Sequence, residues 1–94
     1  MPRGRIIAVD PGRQEFGVCI LEDFDLRYYA VKSLRAHRAP DEAGKVAAHA
    51  VARLVDFYRP QLFVIEQPAV VQRHAEALGV VIRELKAAAR GRHL

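Results

Sequence analysis

Two unbroken apolar runs, residues 6–9 and residues 62–65, are the clearest feature in the pattern of hydrophobic and polar positions. A short apolar run bounded by polar or turn residues predicts a strand that is buried on both faces. Each run is followed at once by an acidic residue: Asp10 begins an Asp-Pro-Gly turn, and Glu66 precedes Gln-Pro. We therefore expect two buried strands, each ending in a carboxylate.

The remaining pattern predicts two more strands and two helices. Residues 16–21 and 26–34 have strand-like patterns and follow the first run with short links, which indicates an antiparallel meander. Pro40, followed by two acidic residues, is typical of a helix start, and Pro60 ends that helix. Its apolar positions at helical spacing are Val46, Ala50, Leu54 and Phe57. Those of the last helix are Val71, Ala75, Leu78, Ile82, Leu85 and Ala89. Gly79 interrupts this helix, and we interpret it as a point of close packing.

The predicted order is β-β-β-α-β-α, a three-layer α/β fold with a mixed sheet in one domain over residues 1–94. A strand, a crossover helix and a second buried strand favour parallel pairing of the first and fourth strands. Because parallel strands end at the same edge of a sheet, Asp10 and Glu66 should meet there. Open α/β sheets bind ligands at this edge.

Two neighbouring carboxylates repel each other unless one is protonated or both share a cation. Mg²⁺ or Mn²⁺ prefers oxygen ligands and can take only one or two carboxylates, and paired metals held in this way can promote phosphodiester cleavage. Each acid alone also fits a structural role, since Asp-Pro-Gly is ordinary turn chemistry. The other acids of the first half are interpreted as solvated charge: Glu15, Glu22, Asp23 and Asp25.

The 94-residue chain has a net charge of +4 and a pI of about 9.7, which favours an anionic partner such as nucleic acid. We assign nucleic-acid contacts to Arg13, Arg35, Arg38 and Arg73; Arg13 has the strongest case because it follows Asp10 in the same turn. An arginine-rich proteome is the alternative explanation. The absence of Asn and Thr also fits a GC-rich genome and a thermophile.

Other features restrict the class of protein. The single cysteine, Cys19, is expected to be a buried structural thiol, and the lack of an intrachain disulfide favours a cytoplasmic protein. No apolar run is long enough to span a membrane, and no signal peptide opens the chain. His49 and His74 are interpreted as packing residues. Tyr28 and Tyr29 should point to opposite sides of a strand, so that one packs in the core and the other could stack on a base.

The two acidic motifs resemble a known family. Residues 6–12, with residues 16–18 opening the next strand, are similar to the first hairpin of RuvC-type Holliday junction resolvases, and residues 60–67 are similar to their fourth strand. The resemblance implies a ribonuclease H-like fold, with Asp10 and Glu66 as metal-binding catalytic acids of Mg²⁺-dependent, dimeric endonucleases of DNA recombination and repair. It covers about the first half of a full resolvase. Those enzymes continue into a fifth strand and a final helix that carry further acids.

Three functions therefore remain open. The first is a minimal RuvC-like nucleic-acid-binding or nuclease-related domain, whose partial metal site a dimer or partner completes. The second is a non-catalytic module for nucleic-acid binding or assembly. The third is nucleotide-phosphate binding, because an Asp-x-Gly turn with a hairpin also resembles the phosphate loop of sugar kinases, actin and heat-shock chaperones.

Overall fold

The computed structural model describes residues 4–12, 14–23, 25–36, 39–66 and 75–94. Three of the predicted nucleic-acid contacts, Arg13, Arg38 and Arg73, lie outside these residues. The elements follow the predicted order and are β1 (Arg5–Asp10), β2 (Glu15–Glu22), β3 (Asp25–Ser33), α1 (Pro40–Tyr58), β4 (Leu62–Ile65) and α2 (Ala75–Arg90).

The four strands form one mixed sheet in the order β3-β2-β1-β4. β1 pairs with β2 and β2 with β3 in antiparallel fashion, whereas β1 and β4 are parallel, with Val9 opposite Ile65. The meander and the parallel pairing of the two apolar runs are therefore confirmed. The carboxyl ends of β1, β3 and β4 lie at one edge of the sheet.

The hydrophobic core lies on one face of this sheet. Alternate residues of β1 and β2 are buried against small or branched side chains of both helices. The fully enclosed members of this cluster are Ile7, Val9, Phe16, Val18, Ile20, Leu34, Ala43, Ala47, Val51, Val55, Val81 and Leu85. Both helices thus contribute to a single core.

The buried stripe of α1 is displaced by one residue from the predicted one. Ala47 and Val51 are buried, whereas Phe57, the last residue of the predicted stripe, is 77% exposed. The other three predicted residues, Val46, Ala50 and Leu54, are partly buried and pack against the core. The predicted stripe therefore borders the most buried one, because i, i+4 spacing is satisfied by either stripe when alanine and valine occupy both. The small residues face the sheet, and the larger apolar ones flank them.

Gly44, not Gly79, lies where α1 and α2 are tightly packed. A Cβ atom at Gly44 would lie 3.0 Å from Cγ and 3.3 Å from Cβ of Glu84, and 3.4 Å from the carbonyl oxygen of Val80. Gly79 is exposed, and no described atom lies within 4 Å of a Cβ placed there. The interpretation of Gly79 as a point of close packing was therefore wrong.

The opposite face of the sheet is open in the described part of the chain. Tyr29 is 64% exposed on β3, and Val64 is 45% exposed on β4, with Leu62 and Val31 exposed beside them. This differs from the expectation that the apolar runs are covered on both faces. The reason is that both described helices contribute to the same core and leave the second face bare.

Charged side chains close the sheet at the edge away from Asp10. Glu22 is only 6% exposed and accepts hydrogen bonds from Arg5 Nε at 2.6 Å and Arg27 Nη2 at 3.1 Å. Arg5 also donates to the carbonyl oxygen of Tyr58 at 2.7 Å, which links the sheet to the end of α1. The hydrogen bond from Arg5 is the largest cause that holds the pKa of Glu22 below its usual value.

The residues after α2 are held against the body of the domain. Arg92 forms an ion pair with Asp56 of α1, and Leu94 packs against the core. Among the described helices, none is both long enough and apolar enough to cross a membrane.

The two glycines provide a matched test of helix packing. Gly44→Val should destabilise the protein by about 1–3 kcal/mol because α2 must move away from the added side chain. Gly79→Ala should stabilise it by roughly 0.5–1 kcal/mol because alanine restricts the unfolded chain and contacts nothing. Urea unfolding of both variants measures these changes. Equal effects of the two substitutions would contradict the packing at Gly44.

Candidate functional site

Asp10 and Glu66 lie side by side at the edge predicted for them. Asp10 is the last residue of β1, and Glu66 follows the last residue of β4. The backbone N–H of Glu66 donates to the carbonyl oxygen of Val9 at 3.0 Å, which extends the parallel pairing one step beyond Ile65. Both acidic residues are exposed at the mouth of the sheet.

The carboxyl group of Asp10 changes the ionisation of Glu66. A hydrogen bond with Asp10 raises the pKa of Glu66 above its ordinary value of 4.5, and the negative charge of Asp10 and partial desolvation raise it further. Two neighbouring carboxyl groups disfavour the state in which both are ionised. The neighbouring charge of Asp10 therefore favours the protonated form of Glu66 more than water does for an isolated carboxyl group.

The turn after Asp10 accepts only glycine at its second position. A Cβ atom at Gly12 would overlap the carbonyl oxygen of Glu15. The carbonyl oxygen of the neighbouring Gln14 accepts a hydrogen bond from the Leu34 N–H at 2.6 Å, so the turn is also tied to the end of β3. The Asp-Pro-Gly sequence thus has a structural role as well as placing Asp10.

A cavity of about 730 Å³ joins the acidic pair to the open face of the sheet. Its floor is made of small residues, Ala8, Gly17 and Cys19, and its sides include Tyr29 and Val64. Since a Cβ atom at Gly17 would lie 3.8 Å from Cβ of Asp10, even alanine would only touch the acidic residue there. The side of Asp10 that faces β2 is therefore uncrowded.

The structure adds residues that the sequence analysis had placed elsewhere. Glu15 is the first residue of β2 and lines the same cavity as Asp10 and Glu66. Tyr29 is the exposed member of the tyrosine pair, and Tyr28 packs against the core. The alternation of side chains along β2 and β3 determines which residues face the cavity. The sequence alone does not show this, because it also depends on the pairing register of the two strands.

Other sequence assignments are not brought into the site. Arg35 is exposed just after β3, at the same edge of the sheet, but it does not line the cavity. Cys19 is half-buried on the open face and is not a core thiol, because alternation along β2 places it opposite the buried residues. His49 is exposed on α1, and His74 lies outside the described residues.

The donor set suits a hard cation but is small. Within the described ranges, no group of three or more His, Cys, Asp or Glu residues is arranged to hold a metal ion. Two carboxylates with open access fit an ion such as Mg²⁺, which keeps several waters and often takes one or two protein carboxylates. The pair is thus chemically suited to part of a metal site.

No protein-family model and no curated protein matches the chain. Solved structures do. RuvC of T. thermophilus in complex with a Holliday junction substrate superposes with a TM-score of 0.82 at 15% identity, over 94% of this chain and 59% of that one. The fold is RuvC-like. A second Thermus thermophilus RuvC structure agrees, with a TM-score of 0.75 at 19% identity over 93% of this chain and 58% of that one.

These matches confirm the RuvC-like, ribonuclease H-type fold expected from the two acidic motifs. The chain spans less than two thirds of the length of either RuvC structure. The Aquifex aeolicus PPX-GPPA enzyme is also similar, with a TM-score of 0.61 at 12% identity over 94% of this chain and 34% of that one. Since a RuvC and a differently named enzyme share this architecture, the fold alone does not determine the function.

The raised pKa of Glu66 predicts a pH-dependent stability. In the metal-free protein, stability should increase as the pH falls through the raised pKa and level off near 4.5, where the unfolded chain also binds the proton. Glu66→Gln should therefore be more stable than the wild type at pH 7, by an amount that shrinks as the pH approaches that value. Urea unfolding in EDTA at a series of pH values measures the difference. Glu22 does not interfere, because its lowered pKa acts below 4.5. Parallel curves for the two proteins would show that the carboxyl groups do not interact.

Proposed function

We propose that residues 1–94 form one RuvC-like nucleic-acid-binding or nuclease-related domain, in which Asp10 and Glu66 hold part of a divalent metal site. The observation that supports this most strongly is the placement of the two acidic residues side by side at the carboxyl ends of the paired central strands, where they line one cavity. Two neighbouring carboxylates repel each other, and a cation bound between them removes this repulsion. The net charge of +4 is consistent with a polyanionic substrate.

The chain's own residues would act as follows. Asp10 and Glu66 would hold the cation through carboxylate oxygens, both in the ionised form. When bound, such an ion would supply Lewis-acid stabilisation of a phosphodiester and activation of a water. The side of Asp10 next to Gly17 is uncrowded, so that a phosphate could approach from the bare face of the sheet. Arg13, close to Asp10 in sequence, is proposed to contact that phosphate, with Arg35, Arg38 and Arg73 as further nucleic-acid contacts.

We further propose that catalysis requires a homodimer or a partner protein. Two carboxylates provide fewer protein ligands than a pair of metal ions uses, and the described residues offer no third one grouped with them. This same observation favours the second candidate function, a non-catalytic module that binds nucleic acid without using metal. The two functions differ in their response to Mg²⁺ or Mn²⁺.

Metal binding should be visible as a change in stability. At a Mn²⁺ concentration 100 times its dissociation constant, the folded state should gain about 2.7 kcal/mol, seen as a raised Tm. Asp10→Asn should remove this gain because it deletes one anionic ligand. The matched control is Asp23→Asn, an exposed acid in the turn at the opposite edge of the sheet, which should keep it. A Tm that Mn²⁺ leaves unmoved in the wild type would refute the metal site.

Cleavage tests the reaction itself. Branched DNA, single-stranded DNA and RNA are incubated with Mn²⁺ and either the wild-type protein or Glu66→Gln. We expect cleavage by the wild type only, with a rate that rises more steeply than in proportion to protein concentration if two chains complete the site. Nucleic-acid binding that is equal in both proteins, indifferent to Mn²⁺ and without cleavage would instead establish the non-catalytic module.

A further inference from the structure

A second concave surface lies on the helical side of the sheet, away from the acidic pair. It is a groove of about 680 Å³ between β3 and α1, here called the β3–α1 groove. Its principal lining residues are Tyr28, Lys32, Arg53, Leu54, Asp56 and Phe57. Tyr28 and Lys32 pair in register with the buried Ile20 and Phe16, so they project to the core side of β3. The groove and the acidic cavity therefore lie on opposite faces of the sheet.

Aromatic rings form one end of the β3–α1 groove. Phe57 is the most exposed large apolar side chain of the described residues, at 77%. It packs edge-on against Tyr58, with ring centroids 4.8 Å apart and an interplanar angle of 76°. The ring centroids of Tyr58 and Tyr28 are in turn 6.1 Å apart. Phe57 thus contacts Tyr58, which in turn contacts Tyr28, and it leaves most of its surface to solvent.

Positive charge occupies the rest of the groove. Lys32 and Arg53 take part in none of the salt bridges found between described residues. The single acid in the lining, Asp56, is already engaged by Arg92, which donates to its two oxygens at 2.9 and 3.3 Å. With that carboxylate neutralised, the β3–α1 groove presents two cations beside an exposed aromatic ring.

We propose that the β3–α1 groove binds single-stranded nucleic acid, with a base stacked on Phe57 and backbone phosphates at Lys32 and Arg53. Exposed aromatic side chains alongside cations are the combination by which proteins hold single strands without reading their sequence. An acidic peptide would satisfy the cations but would leave the planar ring surface without a matching partner. Paired bases in a duplex are not available to stack on a side chain, so the preference is for unpaired strands.

This surface is independent of the metal site, and binding to it can be measured in EDTA. The chain contains no tryptophan, so Phe57→Trp introduces a single fluorescent reporter at the aromatic end of the groove. An oligothymidylate should quench its emission on binding. Because Phe57 is largely exposed, the substitution should leave the Tm unchanged. Binding of the oligonucleotide without any change in this tryptophan's emission would overturn the proposal.

The cations are tested by salt dependence. Single-strand affinity falls with salt by a slope of about 0.7 for each phosphate contact. Lys32→Ser with Arg53→Ser should therefore reduce the slope by about 1.4, whereas Arg83→Ser with Arg90→Ser, an equal loss of charge on the exposed side of α2, should leave it almost unchanged. Equal losses in the two double variants would show that binding follows net charge and not the groove.

The aromatic contribution is tested by Phe57→Leu, which stays apolar but loses the ring. A stacking contribution of about 1 kcal/mol or more predicts at least a roughly fivefold weaker affinity for the oligonucleotide. Polyglutamate added to the fluorescent Phe57→Trp variant tests the alternative, an acidic protein partner. Quenching by polyglutamate but not by oligothymidylate would assign the groove to an acidic protein partner and overturn the proposal, while leaving the metal site untouched.

Discussion

Parallel pairing of β1 with β4 is the constraint on which the rest of the arrangement depends. Val9 opposite Ile65, followed by the Glu66 N–H bond to Val9, fixes how far each strand runs before its acid appears. A slip of one residue in either strand would turn its side chains to the other face. The register therefore determines both the core and the approach of Asp10 to Glu66.

The one-sided core explains the character of both candidate surfaces. With α1 and α2 contributing to one cluster, the second face keeps exposed apolar residues at its sides and small ones along its middle. The acidic pair stands at the end of that bare face, where an anionic ligand could reach it. On the covered side, α1 covers the core-side residues of β3 only in part, and the groove beside Phe57 lies between the two elements.

Much of this fold follows from the sequence because its strongest signals are local. The two apolar runs, the acids that follow them and the proline-acid start of α1 are each readable within a few residues, and together they determine topology. The phase of α1 was not readable, because Ala47 and Val51 repeat at the same spacing as the larger residues beside them. Close packing was also predicted at the wrong glycine. Gly44 and Gly79 can be distinguished only when the packing of α1 against α2 is known.

The residues of the candidate surfaces were also predictable only where the signal is local. Asp10 and Glu66 each end a strand, so topology alone brought them together. Glu15 and Tyr29 enter the cavity through the register of β2 and β3, a long-range property that the sequence does not state. The β3–α1 groove depends on which side of β3 each residue faces and how far α1 extends over it. Arg53 accordingly had no feature that set it apart from the other arginines.

The two edge strands of the sheet, β3 and β4, differ in their side chains and regularity, and this difference affects how the protein can associate. The edge strand β3 includes the charged residues Arg27 and Lys32, and its pairing with β2 is irregular near Ile20. β4 offers four apolar residues with no charge, no proline and no irregularity along its length, and its outer backbone groups have no strand beside them in the described chain. The unpaired N–H and C=O groups of such an edge strand form a template on which a further strand can pair. A strand that paired with β4 would lie beside the acidic pair.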